Sequence, residues 1–376
     1  MKYDAVTLDT NIFTNNGYAL EHGLLNQLEQ FKKGSVKFIL SEIVVKEVLR
    51  HITAENVEIR TNLDKAINRA RGKRLLTEKT AEKLIKLTED EPSPKVLAQN
   101  RLDAFQKNTG CAVIKADSAE ISALIKRYFN YQPPFENNAE KKNEFPDAIA
   151  LLSLEKNAKE NNLKILAVSK DKGWINFAKT SDWIDVRSDF TEALSELQSH
   201  AEEAKEVVVA FLNRVVEDYD SEEYKIIKTI VEQSVADIDF IAEADSYLRA
   251  EATFNAEVHF HDFSFLNPES ISVVQIGKDF VVAEIPIHID AHASAEFDFY
   301  VYDSIDKDEV YMGSRYIEDE EIDFKAAILI TLEIDDNKEM QVVKLTDVEL
   351  IKVIDRVDFG EIEPFVEPGD IDEWMG

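Results

Sequence analysis

The chain has 376 residues, of which 44% are hydrophobic and 31% charged, with a single cysteine and a formal net charge of −31. This composition is typical of a soluble protein of two domains and excludes a disordered chain, a disulfide framework and a cysteine-based zinc site. Apolar runs stay below the ~18 residues of a membrane span. Met1–Asp4 lacks the basic segment and the apolar segment with which a signal peptide begins. We therefore expect a cytoplasmic protein without membrane contact.

The charge is unevenly distributed along the chain. Residues 1–200 contain 30 basic and 29 acidic side chains, whereas residues 201–376 contain 13 basic and 45 acidic ones. The first half is therefore free to bind a polyanion in spite of the net charge. The acidic second half is explained either by solubility or by contact with a basic partner.

Short apolar segments alternate with longer helical segments in the first half. The predicted strands are Ala5–Leu8, Val36–Leu40, Cys111–Ile114, Leu163–Val168 and Trp183–Val186. Helices are predicted over residues 42–52, over most of residues 54–105 with a break at 91–94, and over residues 146–159. Such alternation favours βα crossovers and a three-layer α/β/α domain with a parallel sheet.

The pattern changes near residue 200. Residues 201–216 and 222–248 have helical spacing, and later segments alternate apolar and polar residues as in a half-buried antiparallel sheet. These predicted strands are residues 252–265, 272–275, 280–289, 294–302, 310–316, 324–334 and 340–354. We divide the chain into an α/β domain (1–198), a helical connector (199–250), an acidic antiparallel β domain of α+β type (251–360) and an acidic tail (361–376).

Three acidic residues stand where a parallel sheet binds ligands. Asp9 and Asp171 each follow a predicted buried strand, and such strand ends meet at one edge of the sheet. Asp147 follows Pro146 in the first turn of a predicted helix. Each residue also has a simpler explanation, since acids cap helices and interact favourably with the helix dipole.

The position of Glu47 on a helix distinguishes more clearly between a structural and a functional role. It falls inside the apolar arc, between Ile43 and Val44, whereas the rival Glu42 falls on the polar face. A carboxylate facing the sheet is costly unless a cation or a basic side chain compensates it. We favour a cation because the other acids converge there. Oxygen ligands suit Mg²⁺ or Mn²⁺. Two such ions bound by carboxylates can activate water and stabilise the leaving oxygen in phosphodiester cleavage.

Residues 1–195 resemble the PIN-domain ribonucleases. Four motifs carry the resemblance, in order: Leu8–Asn11, Ser41–Glu47, Pro146–Ala148 and Ser169–Asp171. The chain looks most similar to a bacterial PIN-like branch with a Pro-Pro-Phe loop, a lysine before the third acid, and a tryptophan close after the last acid. Here these are Pro133–Phe135, Lys141 or Lys142, and Trp174.

The resemblance implies a metal-dependent endoribonuclease acting on single-stranded RNA with one or two Mg²⁺ or Mn²⁺ ions. Its metal ligands would be Asp9, Glu47, Asp147 and Asp171. Asn11 would orient Asp9 or the attacking water, and Ser169 would hydrogen-bond the cluster. Candidate RNA contacts are Lys141 and Lys142 with the basic stretch of Arg69, Arg71 and Arg74, although that stretch is equally explained as a solvated helix face. The nearest aromatic residues for base stacking are Tyr128, Phe129, Tyr131 and Phe135.

Other functions stay open from the sequence. A PIN fold can serve as a catalytically inactive scaffold, and a related structure-specific DNA nuclease would share the same acids. The long insertion between Glu47 and Asp147 and the extra C-terminal half argue against a simple toxin. We expect that half to regulate the nuclease by self-contact or to bind a protein partner. His259, His261, His288 and His292 are either a metal site of unfamiliar spacing or exposed sheet residues.

Overall fold

The computed structural model describes residues 2–135, 144–267, 270–303, 307–335 and 341–364. The chain forms two compact units, Met1–Ser199 (unit 1) and His200–Gly376 (unit 2). Among the described residues, none of the helices combines the length and apolarity required to span a bilayer.

Unit 1 contains a sheet of five parallel strands. They are β1 (Ala5–Leu8), β2 (Lys37–Ser41), β3 (Ala112–Ile114), β4 (Ile165–Val168) and β5 (Ile184–Arg187). Their order is β3-β2-β1-β4-β5, and all neighbours pair in parallel. Every residue of β1 and β4 is buried, as expected for central strands of a parallel sheet covered on both faces. The predicted α/β fold with a parallel sheet is confirmed.

Nine α-helices surround this sheet among the described residues. They are α1 (Thr10–Asn15), α2 (Gly23–Asn26), α3 (Glu42–Gly72), α4 (Glu78–Asp90), α5 (Pro94–Thr109), α6 (Ile121–Phe129), α7 (Phe145–Asn161), α8 (Lys172–Ala178) and α9 (Phe190–Glu196). Two short 3-10 helices cover Gln27–Lys32 and Ala116–Ser118. The turn between α3 and α4 was not predicted. Arg74 takes a positive φ there, and the Thr77 hydroxyl caps the new helix.

The strand order places a crevice at the centre of the sheet. The chain runs outward from β1 through β2 to β3, and then returns to the other side of β1 with β4. This reversal is a topological switch point, where open α/β sheets bind ligands beyond the carboxyl ends of the strands. Asp9 directly follows β1, and Ser169 directly follows β4, so both lie at that point.

Unit 2 combines two helices with an antiparallel sheet. The helices are α10 (Ala201–Glu217) and α11 (Glu222–Ala236), and the strands are β6 (Ile241–Asp245), β7 (Arg249–Ala252), β8 (Glu257–Phe265), β9 (Ser272–Ile276), β10 (Phe280–Asp303), β11 (Asp308–Asp335), β12 (Gln341–Ile351) and β13 (Arg356–Glu361). Residues 241–245 were predicted as helix but form β6, which pairs with the distant β13. Four predicted strands are in fact the two long strands β10 and β11.

One long hairpin organises the sheet of unit 2. β10 pairs with β11 along nearly its whole length, with irregularities between Ala293 and Ala295 and between Phe299 and Tyr300. β7, β8 and β9 pair with the other edge of β10, and β12 pairs with β11. The predicted antiparallel sheet is confirmed. α10 and α11, which the sequence placed in a connector, contribute Val208, Phe211 and Ile227 to the same apolar core as the sheet.

Candidate active site

Asp9 is the centre of a hydrogen-bonded group at the crevice. It caps α1, and its carboxylate Oδ1 accepts a bond from the Thr10 amide at 2.6 Å. Its Oδ2 accepts bonds from Asn11 Nδ2 and Ser169 Oγ, both at 2.6 Å. The side chain is only 5% exposed. Asn11 and Ser169 thus both donate to the Asp9 carboxylate.

Ser169 links the ends of β1 and β4. Its hydroxyl, which donates to Asp9, also accepts a bond from the Asp171 amide at 3.0 Å. Asp171 caps α8, since its Oδ1 accepts bonds from the amides of Gly173 at 2.6 Å and Trp174 at 3.2 Å. Capping fixes the position of this carboxylate. The helix-cap explanation and the site explanation of Asp171 therefore apply together.

Asp147 and Glu47 join the group through one neighbour each. Asp147 Oδ1 accepts a bond from the indole N–H of Trp174 at 2.9 Å. Glu47 Oε2 accepts a bond from the Thr10 hydroxyl at 2.6 Å. Since Thr10 also bonds Asp9, and Trp174 also bonds Asp171, a continuous chain of hydrogen bonds connects all four predicted acids. We call these four side chains the acid cluster.

Thr10 and Trp174 are the linking residues that the sequence did not single out for a role. Thr10 lies 37 residues before its partner Glu47, and Trp174 lies 27 residues after Asp147. Trp174 is fully buried, and a buried indole N–H needs an acceptor. The sequence did mark both positions: Thr10 lies in the Leu8–Asn11 motif, and Trp174 is the tryptophan close after the last acid.

The four acids also interact electrostatically. Burial raises the pKa of Asp9 to about 7, and the nearby charges of Asp147 and Asp171 add to the effect, against the bond from Ser169. Burial likewise raises the pKa of Asp147 to about 6, with contributions from Asp171 and Glu47 and an opposing bond from Trp174. Like charges at close range disfavour ionisation. The crevice therefore concentrates negative charge.

No basic side chain in the described part of the chain forms an ion pair with the acid cluster. Glu42, the rival of Glu47, differs in this respect. It pairs with Lys46 at 3.0 Å and accepts the Ala116 amide at 3.0 Å. That amide bond, more than the neighbouring lysines, lowers the pKa of Glu42. The charge of Glu42 is thus compensated within the protein.

Carboxylate oxygens are the donors that Mg²⁺ and Mn²⁺ prefer, so the chemistry of the acid cluster fits such ions. The positions of these carboxylates do not yet form a complete metal site. Among the described residues, no three His, Cys, Asp or Glu side chains are arranged so that they could hold one metal ion together. The structure therefore gathers the acids into one network without forming a finished coordination shell.

The predicted nucleic-acid contacts that the structure describes do not lie in the acid cluster. Arg69 and Arg71 are near the end of α3, about 33 Å along the helix axis from Glu47. Arg71 pairs with Glu78 at 3.2 Å, and Arg74 is exposed in the following turn. Lys141 and Lys142 lie outside the described residues. The role of all five in RNA binding stays a prediction.

The histidines of unit 2 pair mainly with acids. His288 Nε2 lies 2.9 Å from Asp323, and His292 Nδ1 lies 3.3 Å from Asp319. The rings of His261 and His292 meet edge to face at 5.8 Å. His259 and His261 are exposed, whereas His288 and His292 are partly buried. The described part of unit 2 has no metal-binding group of three such side chains.

Comparison with known proteins gives a match for unit 1. Residues 6–174 match the family model described as PIN domain. Curated proteins and solved structures give no match to the chain. The matched range begins in β1 and ends at Trp174, so it spans all four members of the acid cluster. This match supports a PIN-domain family for unit 1, and PIN domains are typically nucleases.

Proposed function

We propose that this protein is a metal-dependent endoribonuclease that hydrolyses phosphodiester bonds of single-stranded RNA. One observation carries the proposal: Asp9, Glu47, Asp147 and Asp171 come from four elements, meet in one hydrogen-bonded network and have no described basic partner. Asp9 is buried and Glu47 and Asp147 are partly buried. A purely structural network would be expected to compensate such carboxylates within the protein, as it does for the partly buried Glu42.

The residues have separate roles in this proposal. The acid cluster would hold Mg²⁺ or Mn²⁺, which when bound activates water and stabilises the leaving oxygen. Ser169 and Asn11 hold the Asp9 carboxylate in one orientation, and Thr10 does the same for Glu47. Trp174 fixes Asp147 through its indole and Asp171 through its amide. These neutral donors orient the carboxylates without removing the negative charge that attracts a cation.

The direct test is cleavage of labelled single-stranded RNA, single-stranded DNA and flap DNA with Mg²⁺, Mn²⁺ or EDTA. We expect metal-dependent internal cleavage of RNA, and a loss of at least about 100-fold in Asp171→Asn. Glu160→Gln, an exposed acid on α7, is the control and should keep full activity. Preference for flap DNA would instead identify a DNA nuclease.

Metal binding separates an enzyme from an inactive scaffold. Isothermal titration of the wild type with Mn²⁺ should give saturable binding, and Asp9→Asn should weaken it. A wild type that neither binds Mn²⁺ nor cleaves any nucleic acid would contradict the proposal. In that event, the acid cluster would be a structural network of a scaffold protein.

We also propose that unit 2 regulates unit 1 or binds a protein partner. Its support is the charge distribution, since residues 201–376 carry 45 acidic and only 13 basic side chains. Such a surface competes with nucleic acid for basic residues. The insertion of unit 1 offers Arg69, Arg71 and Arg74 as basic residues of this kind.

A further inference from the structure

Helix α6 carries an exposed apolar stripe. Ile121, Ile125 and Phe129 follow one another at four-residue spacing, with 69%, 50% and 71% of their surface exposed. Tyr131, just beyond the helix, is 54% exposed. Residues four apart share a helix face, and a cluster of large exposed apolar side chains is typical of an interaction site. Phe129 and Tyr131, the two exposed rings at one end of this stripe, are therefore candidates for contact with a ligand.

The end of α6 that carries Phe129 is tied to the acid cluster. The ring of Tyr128 lies 4.9 Å from that of Phe145, two residues before Asp147. The guanidinium of Arg127 lies over the ring of Phe177 in α8 and donates to the Pro133 carbonyl at 2.6 Å. Phe129 and Tyr131 thus belong to a segment that contacts both helices bearing Asp147 and Asp171.

The loop after Tyr131 reaches the cluster directly. It is packed so closely on Gly173 that a Cβ there would lie 3.0 Å from Pro134 Cβ. The Gly173 amide is one of the donors to the Asp171 carboxylate. Only a few residues therefore separate the exposed Tyr131 ring from the residue that positions an acid of the cluster.

Positive charge accompanies the two rings. Lys170 and Lys172 flank Asp171, and Lys126 lies on the exposed side of α6. These three lysines are exposed, and none forms an ion pair with another described residue. Lys46 and Lys115, by contrast, both lie against Glu42. Uncompensated lysines beside acidic catalytic candidates suit a ligand with phosphate groups.

We propose that Phe129 and Tyr131 stack unpaired bases of a single-stranded nucleic acid whose phosphates contact Lys126, Lys170 and Lys172. Base stacking on aromatic side chains tolerates any sequence and needs single strands. The inference rests on the proposed nuclease function and deepens it, since it specifies how the strand enters the acid cluster. Ile121 lies about 12 Å along the helix from Phe129 and is outside this platform.

The test is fluorescence anisotropy with the full chain in EDTA, where metal-dependent cleavage is blocked. The probes are a labelled single-stranded RNA of about 12 nucleotides and an abasic strand with the same number of phosphates. Wild type should bind the RNA at least about fivefold more tightly than the abasic strand. Phe129→Ala and Tyr131→Ala should remove this difference, whereas Phe129→Trp and Tyr131→Phe should keep it.

The lysines give an independent prediction. Lys170→Ala and Lys172→Ala should weaken binding of both probes to a similar degree and make it less dependent on salt. Thermal melting checks that the variants remain folded, which we expect because the changed side chains are exposed. A wild type that binds neither probe, or binds both equally, would overturn the inference.

Ile121→Ala and Ile125→Ala are the matched controls on the same helix face. Unchanged RNA binding in both supports the platform. If they weaken binding as much as Phe129→Ala, or if Phe129→Ala alters only self-association in analytical ultracentrifugation, α6 is a protein interface and the inference is wrong. The proposed nuclease activity fails separately, because it depends on cleavage with metal, which Asp171→Asn reports.

Discussion

At the scale of single residues, Glu42 and Glu47 form a natural pair for comparison. They stand on the same helix, but Glu42 is bound by Lys46 and the Ala116 amide, whereas among the described residues Glu47 accepts a bond from the Thr10 hydroxyl alone. We expect Glu47→Gln to lower RNA cleavage by at least about 100-fold and Glu42→Gln to change it less than about threefold. Steady-state cleavage rates with Mn²⁺ provide the measurement. Equal losses in both variants would refute this assignment.

Trp174 should act on the ionisation of Asp147. Its indole bond lowers the pKa of a carboxyl that burial otherwise raises. Trp174→Phe removes the donor, so the pKa of Asp147 should rise above about 6, and the acidic limb of the pH–rate profile should move to higher pH by roughly half a unit or more. Phe177→Leu, at another fully buried position of α8, controls for lost packing. If the acidic limb moves equally in Phe177→Leu, the shift does not come from the hydrogen bond between Trp174 and Asp147.

Asp9 should make the metal-free protein less stable as the pH rises. Its folded pKa of about 7 lies above the ordinary 3.8, so the folded state holds a proton that the unfolded state has released between these values. The contribution of this proton to the free energy of unfolding is complete below about pH 4 and is lost progressively as the pH rises to about 7. Asp9→Asn should therefore stabilise the protein by roughly 2–4 kcal/mol near pH 8 and have little effect near pH 4.

Thermal unfolding in EDTA at both pH values provides this measurement. Asp103→Asn is the control, since Asp103 is exposed on α5 and its replacement should have the same small effect at each pH. Destabilisation by Asp9→Asn near pH 8 would mean that the lost hydrogen bond from Asn11 outweighs the relief of charge.

At the scale of elements, the start of α8 depends on a close approach. A Cβ on Gly173 would lie 2.8 Å from Asp171 Oδ1 and 3.0 Å from Pro134 Cβ. Gly173→Ala should therefore displace the Asp171 carboxylate, reduce cleavage by at least about tenfold and cost roughly 1–3 kcal/mol of stability. Gly72→Ala at the end of α3 meets no atom within 4 Å and should be neutral. Full activity in Gly173→Ala would show that this contact does not position the site.

Elements with a local signal were predictable from the sequence. Apolar runs followed by Asp9 or Ser169 marked the central strands, and the apolar arc around Glu47 indicated the side of α3 that faces the sheet. β6 was missed because its strand character comes from pairing with β13, more than 100 residues later. The polar residues Asp290 and His292 suggested a break in β10, although its partners on both sides keep the strand continuous.

The candidate site was predictable to a similar extent. Strand ends indicated Asp9 and Asp171, helix periodicity indicated Glu47, and the helix start after Pro146 indicated Asp147. The resemblance to PIN-domain ribonucleases implied their common role. The bonds from Thr10 to Glu47 and from Trp174 to Asp147 do not, because they join elements whose contact depends on the tertiary fold. The close packing of Pro134 on Gly173 is of the same kind.

At the scale of the whole molecule, the division into two units permits a direct test of regulation. Residues 1–199 form a compact unit of their own, and removal of residues 200–376 also removes most of the net negative charge. We expect the fragment to bind single-stranded RNA more tightly than the full chain, by about tenfold at low salt and less at high salt. Filter binding over a salt series measures this. Unchanged affinity at every salt concentration would exclude autoinhibition and leave the nuclease proposal intact.

The hairpin of β10 and β11 determines how unit 2 should unfold and be degraded by proteases. In the described part of unit 2, every other strand of the large sheet hydrogen-bonds to one arm of this hairpin and to none of the remaining strands. Loss of the whole hairpin would thus remove the pairing partner of each of these strands. Proteases should accordingly degrade unit 2 in one step, without leaving a resistant subfragment.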